Sequence, residues 1–173
     1  GEPKLYDVEL DLLANEGMTI ATWRSAFGFR TIELRNSEII SSGGDGEFRF
    51  VVNGTHIFIK GSNWVPLDAL HSNDAHRLEE TLALAVDLNC NMLRCWGGNV
   101  YEDEPFFSFC DRHGIMVWQD FSLACALYPQ TAEFHDVIRK EAEAVVSRLR
   151  NHPSLVLWAG NNEIDQTYGF ASA

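Results

Sequence analysis

The chain has 173 residues, 46% hydrophobic and 12% aromatic, with 13 Lys and Arg against 25 Asp and Glu, a formal net charge of −12. That mix excludes a disordered chain, and so acidic a balance excludes the clustered cations that grip nucleic-acid phosphates. No apolar run reaches the roughly 20 residues of a membrane helix, and Gly1-Glu2-Pro3-Lys4 does not open like a secretory leader.

From Lys4 to Leu13 the residues alternate, Tyr6, Val8, Leu10 and Leu12 against Asp7, Glu9 and Asp11, which predicts a half-buried antiparallel strand. Two further strands are expected over Thr19–Phe27 and Phe29–Leu34. A complete sandwich needs roughly seven strands, so these read as the tail of a β-domain. Ser41-Ser42-Gly43-Gly44-Asp45-Gly46 has the composition of a linker.

Beyond it, Phe48–Val52 and Ile57–Lys60 flank Asn53-Gly54, a hairpin signal, and the second limb runs on to Trp64. Helices are predicted over Asp74–Leu88, Glu104–Arg112 and Thr131–Arg150, alternating with apolar strands over Asn91–Trp96, Ile115–Gln119 and Ser154–Gly160. Alternating strands and helices argue for a parallel sheet. The spacing approaches the roughly 31 residues per unit of an eightfold β/α barrel, although periodicity alone does not separate half a barrel from a doubly wound sheet.

Cys90, Cys95, Cys110 and Cys125 make no CxxC pair and no zinc-finger spacing with His, so buried or half-buried thiols are expected. His71 and His76 straddle a helix start without a carboxylate to complete a metal site, and Tyr101-Glu102-Asp103-Glu104 reads as a solvated helix cap. Asn53-Gly54-Thr55 is both a glycosylation sequon and a tight turn, and the compartment stays open between cytoplasmic and lysosomal or secreted.

Chemistry concentrates at the predicted strand ends. Asn162-Glu163 follows the apolar run Leu155–Gly160, putting a carboxylate at the mouth of the sheet, where such folds bind ligands. Asn63-Trp64, Arg94 with Trp96, and Trp118 with Asp120 fall on the same edge. Sugar rings have apolar C–H faces and a rim of hydroxyls, so Trp for stacking beside Asn, Asp and Arg for hydrogen bonds suits a sugar cleft. Arg94 also fits a structural cation paired with a nearby carboxylate.

These residues resemble a known family. Gly28-Phe29-Arg30-Thr31-Ile32-Glu33-Leu34 resembles the last strand of the immunoglobulin-like domain before the barrel in glycoside hydrolase family two. Lys60–Pro66, Asn91–Gly98, Val117–Phe121, Ala124–Pro129, Arg150–Ser154 and Gly160–Glu163 resemble its β-mannosidase branch in order and spacing. The resemblance implies an α/β fold: the last strands of an immunoglobulin-like β-sandwich over residues 1–41, a linker over 42–46, and the first half of a (β/α)8 TIM barrel over 47–173. It implies an exo-acting retaining enzyme that releases terminal non-reducing β-D-mannose from oligosaccharides or β-mannosides, with no metal or organic cofactor and no membrane or nucleic-acid partner.

Under the same resemblance Glu163 stands in the position of the acid/base and Asn162 binds the sugar 2-hydroxyl. Trp96 contacts the sugar, Arg94 supports the carboxylates, and Asp120 and Trp64 match further substrate-binding positions. The family's nucleophilic Glu comes from a later strand, so the chain is expected to be an internal piece that needs the rest of its parent to complete the barrel. Asn99 stands where a third Gly is common, and Ile164-Asp165 replaces the usual Asn-Glu. Alternatives are an exo-glucosaminidase or β-galactosidase of the same family, or a non-catalytic sugar-binding relative.

Overall fold

The computed structural model describes residues 2–37, 46 and 48–171. The linker expected over 42–46 falls, Gly46 apart, outside the described residues. Strands β1 (Tyr6–Leu13) and β2 (Thr19–Phe27) pair antiparallel, with Leu10 opposite Trp23 and Glu9 opposite Arg24. The antiparallel strand and its alternation hold but the expected half-burial does not. One face carries an Arg24–Glu9 ion pair of 2.6 Å, while the apolar face leaves Leu10, Leu12 and Trp23 more than half exposed, at 58%, 60% and 54%, because no second layer covers it among the described residues.

The sequence groups the third strand with these two, but the structure pairs it elsewhere. Strand β3 (Ile32–Asn36) lies antiparallel to β4 (Phe48–Val52), which pairs in turn with β5 (Thr55–Ile57). Ile32 faces Val52 and Leu34 faces Phe50, so pairing β3 with β4 lines up the apolar positions of both strands. The β4–β5 turn is the expected Asn53-Gly54, at φ of 48° and 77°, the left-handed pair a tight hairpin requires. Asn53 Oδ1 accepts the Thr31 N–H at 2.8 Å, which gives that side chain a turn-locking role.

The barrel part is a four-stranded parallel sheet in sequential order: β6 (Gly61–Trp64), β7 (Met92–Cys95), β8 (Met116–Asp120) and β9 (Leu155–Ala159). Helices α1 (Leu78–Asp87), α2 (Glu104–His113) and α3 (Ala132–Leu149) connect the strands, and α4 (Ile164–Ala171) follows β9. The first predicted helix begins late: residues 71–76 form a 3-10 turn, matching the three-residue spacing of the His71–Asp74 pair. Pro105 opens α2 and Gly114, at φ 67°, ends it, while Thr131 Oγ1 accepts the Phe134 N–H at the start of α3.

Leu82, Phe106, Phe107, Cys110, Val145 and Leu149 from the three connecting helices pack on Leu93, Cys95, Val117 and Leu155 of the sheet. A fully buried Phe contributes about 1.5–3 kcal/mol, so Phe106 and Phe107, both at 0% exposure, anchor this layer. On the opposite face Phe50 covers Met92 and Met116 at the strand beginnings, with Ile32, Val52 and Ile57 beside it. Arg30 fastens the same end by donating to the carbonyls of Pro153 at 3.0 Å and Leu155 at 2.6 Å. The strand beginnings are thus capped, which leaves chemistry to the strand ends.

Candidate active site at the strand mouths

Register decides which side chains share the inner face. Asn63, Arg94 and Trp118 stand side by side on β6, β7 and β8, and the next row is Trp64, Cys95, Gln119 and Trp158. Cys95 belongs to the helix-side core, so Trp64 points the same way. Trp64 is expected at the sugar cleft, and the structure corrects that placement. It is 4% exposed, lies 5.1 Å from Phe106, and donates its indole N–H to Glu102 at 2.9 Å. Asn63 takes the inner-face position instead.

Arg94 is the hub. Its Nη2 donates to Asp120 Oδ2 at 2.7 Å and to Asn162 Oδ1 at 2.8 Å, its Nε to Asp120 Oδ1 at 3.3 Å, and its Nη1 to Asn63 Oδ1 at 3.4 Å. The guanidinium also lies 5.3 Å from the Trp118 ring. Asp120 has no exposed surface, and its Oδ2 accepts the Gly97 N–H at 3.1 Å as well. Arg94, Asp120 and Asn162 are thereby brought together from three separate strand ends.

Trp96 is half-buried beyond the end of β7, and its ring lies over Gly98 so closely that a Cβ there would sit 2.1 Å from Cη2. A Cβ on Gly97 would meet the Leu123 carbonyl at 2.7 Å, so the loop can run here only on glycine backbone.

Asn162 extends the sheet by one parallel bridge to Ala124, with its N–H on the Leu123 carbonyl at 2.8 Å and its carbonyl on the Cys125 N–H at 3.0 Å. Glu163 then turns out at a φ of 58° and is exposed. Asn161 Oδ1 accepts the Ile164 N–H at 3.2 Å, so the capping duty at α4 falls to Asn161 and the Glu163 carboxylate stands free of it.

Two residues at this edge depart from expectation. Glu102 is not a solvated cap: it is 4% exposed and accepts from both Trp64 and Asn99, the latter at 3.3 Å. Burial raises its carboxyl above the ordinary range, against hydrogen bonds from Trp64 and Asn99 and the charge of His71, which pull the other way. The sequence clue is Asn99 itself, a polar residue in a glycine-rich turn. Cys125 is exposed rather than buried, at a φ of 46°. Cys95 and Cys110 do lie in the core, where burial pushes both thiols up and keeps them inert. Among the described residues no group of three or more His, Cys, Asp or Glu is placed to hold a metal.

The four parallel strands with polar residues at their ends fit the first half of a β/α barrel, and residues 46–172 match the glycosyl hydrolases family 2, TIM barrel domain. The chain belongs to that family. It is 48% identical over 159 residues to a β-mannosidase of Capra hircus, covering 91% of this chain and 18% of that one. It is 40% identical over 165 residues to β-mannosidase B of Emericella nidulans, covering 94% and 19%. Among solved structures, the β-D-mannosidase from Dictyoglomus thermophilum superposes with a TM-score of 0.86 at 44% identity, over 94% of this chain and 20% of that one. The chain therefore spans about a fifth of the length of these relatives.

Proposed function

We propose that the protein carrying this chain is an exo-acting retaining β-mannosidase, with Glu163 as acid/base. One observation carries the reading: Asn162 and Glu163 leave the end of β9 together, with Asn162 fixed at 2.8 Å by Arg94, in a chain of glycosyl hydrolases family 2.

Retaining hydrolysis uses two carboxyl groups about 5–5.5 Å apart, one attacking the anomeric carbon and the other protonating the departing oxygen. Glu163 is the proton donor, and the nucleophile is the second carboxylate, which the family resemblance puts on a later strand of the barrel. Once the glycosyl ester forms, Glu163 has given up its proton and takes one from the incoming water. Arg94 cannot accept a hydrogen bond, so Asn162 turns its carbonyl to Arg94 and its amide N–H groups the other way. The amide has two N–H donors, and one of them serves the sugar 2-hydroxyl, a contact that strengthens as the transition state develops. Trp96 offers a ring face to the sugar. Asp120 keeps Arg94 in place, while Trp64 packs in the helix-side core and makes no sugar contact in this reading.

The test compares initial rates on aryl β-mannoside, β-galactoside and β-glucosaminide, using a polypeptide of the relatives' full length that carries this chain. Mannoside preference is expected, with Glu163→Gln losing about 100-fold or more on poor leaving groups and far less on activated ones. Preference for another sugar moves the assignment to another member of the family, and sugar binding without turnover makes the protein a lectin-like relative. Full activity in Glu163→Gln overturns the acid/base assignment. A polypeptide limited to the 173 residues is expected to show no turnover.

A further inference from the structure

We propose that Cys125 is a positioning residue that couples the Asn162 amide to the Glu163 carboxylate, and so sets the geometry of the acid/base. The inference rests on the mannosidase reading of the site.

The polarity of this contact is fixed from one end. Arg94 is donor-only, so Asn162 Oδ1 must be the atom facing it. That directs Asn162 Nδ2 to Cys125 Sγ at 3.2 Å, and the thiol, with its one proton, is left to donate to Glu163 Oε2 at 3.6 Å. The sequence of donors runs Arg94 to Asn162 to Cys125 to Glu163. The backbone holds the thiol in this position, because the Cys125 N–H donates to the Asn162 carbonyl at 3.0 Å and Ala124 bridges Asn162. Cys125 adopts a left-handed φ of 46°, a conformation unfavourable for a side-chain-bearing residue that persists only where its surroundings impose it. The charged groups tied to the thiol are Glu163 directly, and Arg94 with Asp120 through Asn162. An S–H bond is weak, so its effect is one of alignment and modest charge stabilisation, not proton transfer.

Two measurements on the full-length polypeptide test this. The first is kcat/KM on two aryl β-mannosides, one with a poor and one with an activated leaving group. Removing the thiol takes away the contact that aligns the Glu163 carboxyl. So kcat/KM should fall about threefold to tenfold on the poor leaving group, which needs the acid, and by less than about twofold on the activated one. Cys125→Ala tests this, and so does Cys125→Gly, which suits the left-handed backbone and keeps the test open if the alanine variant fails to fold. Cys125→Ser keeps a donor and should restore the wild-type rate on the poor leaving group.

The second measurement needs no turnover. It is the rate at which 4,4′-dithiodipyridine modifies the Cys125 thiol, isolated by subtracting the Cys125→Ala trace. Glu163→Ala removes the carboxyl that engages the S–H and leaves the thiol more open to the reagent, which should speed that reaction by roughly threefold. Turnover by the wild type with unchanged rates on the poor leaving group in both Cys125→Ala and Cys125→Gly overturns the coupling and leaves the mannosidase reading standing. Absence of turnover with an accelerated thiol overturns the enzymatic reading and supports the contact. A thiol rate indifferent to Glu163 overturns the contact itself.

Discussion

Arg94 and Asp120 meet in a two-point ion pair, 2.7 Å and 3.3 Å, in which the carboxylate is wholly buried and the guanidinium 24% exposed. The same Asp120 oxygen that takes the shorter bond also holds the Gly97 N–H. One side chain therefore anchors both the cation at the end of β7 and the first turn of the loop that follows.

Removing one partner of a buried pair costs more than the pair contributes, because the other charge is left uncompensated. Asp120→Ala should lower stability by about 3–5 kcal/mol in urea unfolding followed by Trp fluorescence. Asp120→Asn keeps one acceptor for Arg94 and should cost less. A loss below about 1 kcal/mol for the alanine variant would mean that Arg94 finds another carboxylate, and the hub assignment would fail.

Gly98 is the floor beneath Trp96. A Cβ at 2.1 Å and 2.2 Å from two ring carbons cannot be accommodated without moving the indole. Displacement of a substrate-contacting group by about 1 Å can cost around 100-fold in rate. Gly98→Ala should accordingly lower kcat/KM on an aryl β-mannoside at least tenfold, in the direction of Trp96→Ala, with little change in the urea midpoint. Unchanged kinetics would remove Trp96 from the sugar contacts.

Much of this fold is legible in the sequence because its signals are local. The alternation of β1, the Asn53-Gly54 turn and the amphipathic α3 each sit within a few residues of their cause. What is not legible depends on partners distant in the chain. Strand β3 pairs across the glycine-rich stretch with β4, and its own pattern does not say which neighbour it will find. Strand β6 has only four residues, Gly61-Ser62-Asn63-Trp64, too few for periodicity to say which of Asn63 and Trp64 faces inward. Register with Arg94 settles it. Glu163, Asn162, Arg94 and Asp120 stand out in the sequence by their position at strand ends. Glu102 and Cys125 do not, since one is buried by Trp64 from another strand and the other is aligned by Asn162.

Glu102 is a buried carboxyl whose work is to accept two hydrogen bonds, and a neutral side chain can do that too. Glu102→Gln keeps an acceptor for Trp64 and Asn99, whereas Glu102→Ala strands the indole N–H in the core at a cost of about 1–3 kcal/mol. Because burial raises its carboxyl, the folded state holds the proton more tightly than the unfolded one, and stability from this group falls as pH rises above about 4.5. Unfolding midpoints from pH 4 to 8 should therefore converge at low pH and favour the glutamine variant at high pH. A wild type that gains on Glu102→Gln as pH rises would contradict the buried-charge account.

His152 gives the opposite end of the sheet its own pH dependence. Its Nδ1 lies 2.7 Å from Asp111 and its Nε2 3.3 Å from Glu104, with the ring stacked 4.9 Å from Phe107. Burial alone would lower the imidazole, but the hydrogen bond and charge of Asp111, joined by Glu104, outweigh it and raise it above its ordinary value. The folded state thus favours the imidazolium. The stabilisation is fully present below the unfolded value of about 6.5 and is lost as pH climbs through the raised folded value. His152→Gln removes that charge, so the gap between wild type and variant in urea midpoint should be widest near pH 5.5 and narrow steadily toward pH 8.5. Asp111 also accepts the Ser154 N–H at 2.9 Å, so Asp111→Asn should shrink the gap at low pH and additionally loosen the entry into β9. A gap that widens with pH would show that His152 folds in its neutral form, and the ion-pair account would be abandoned.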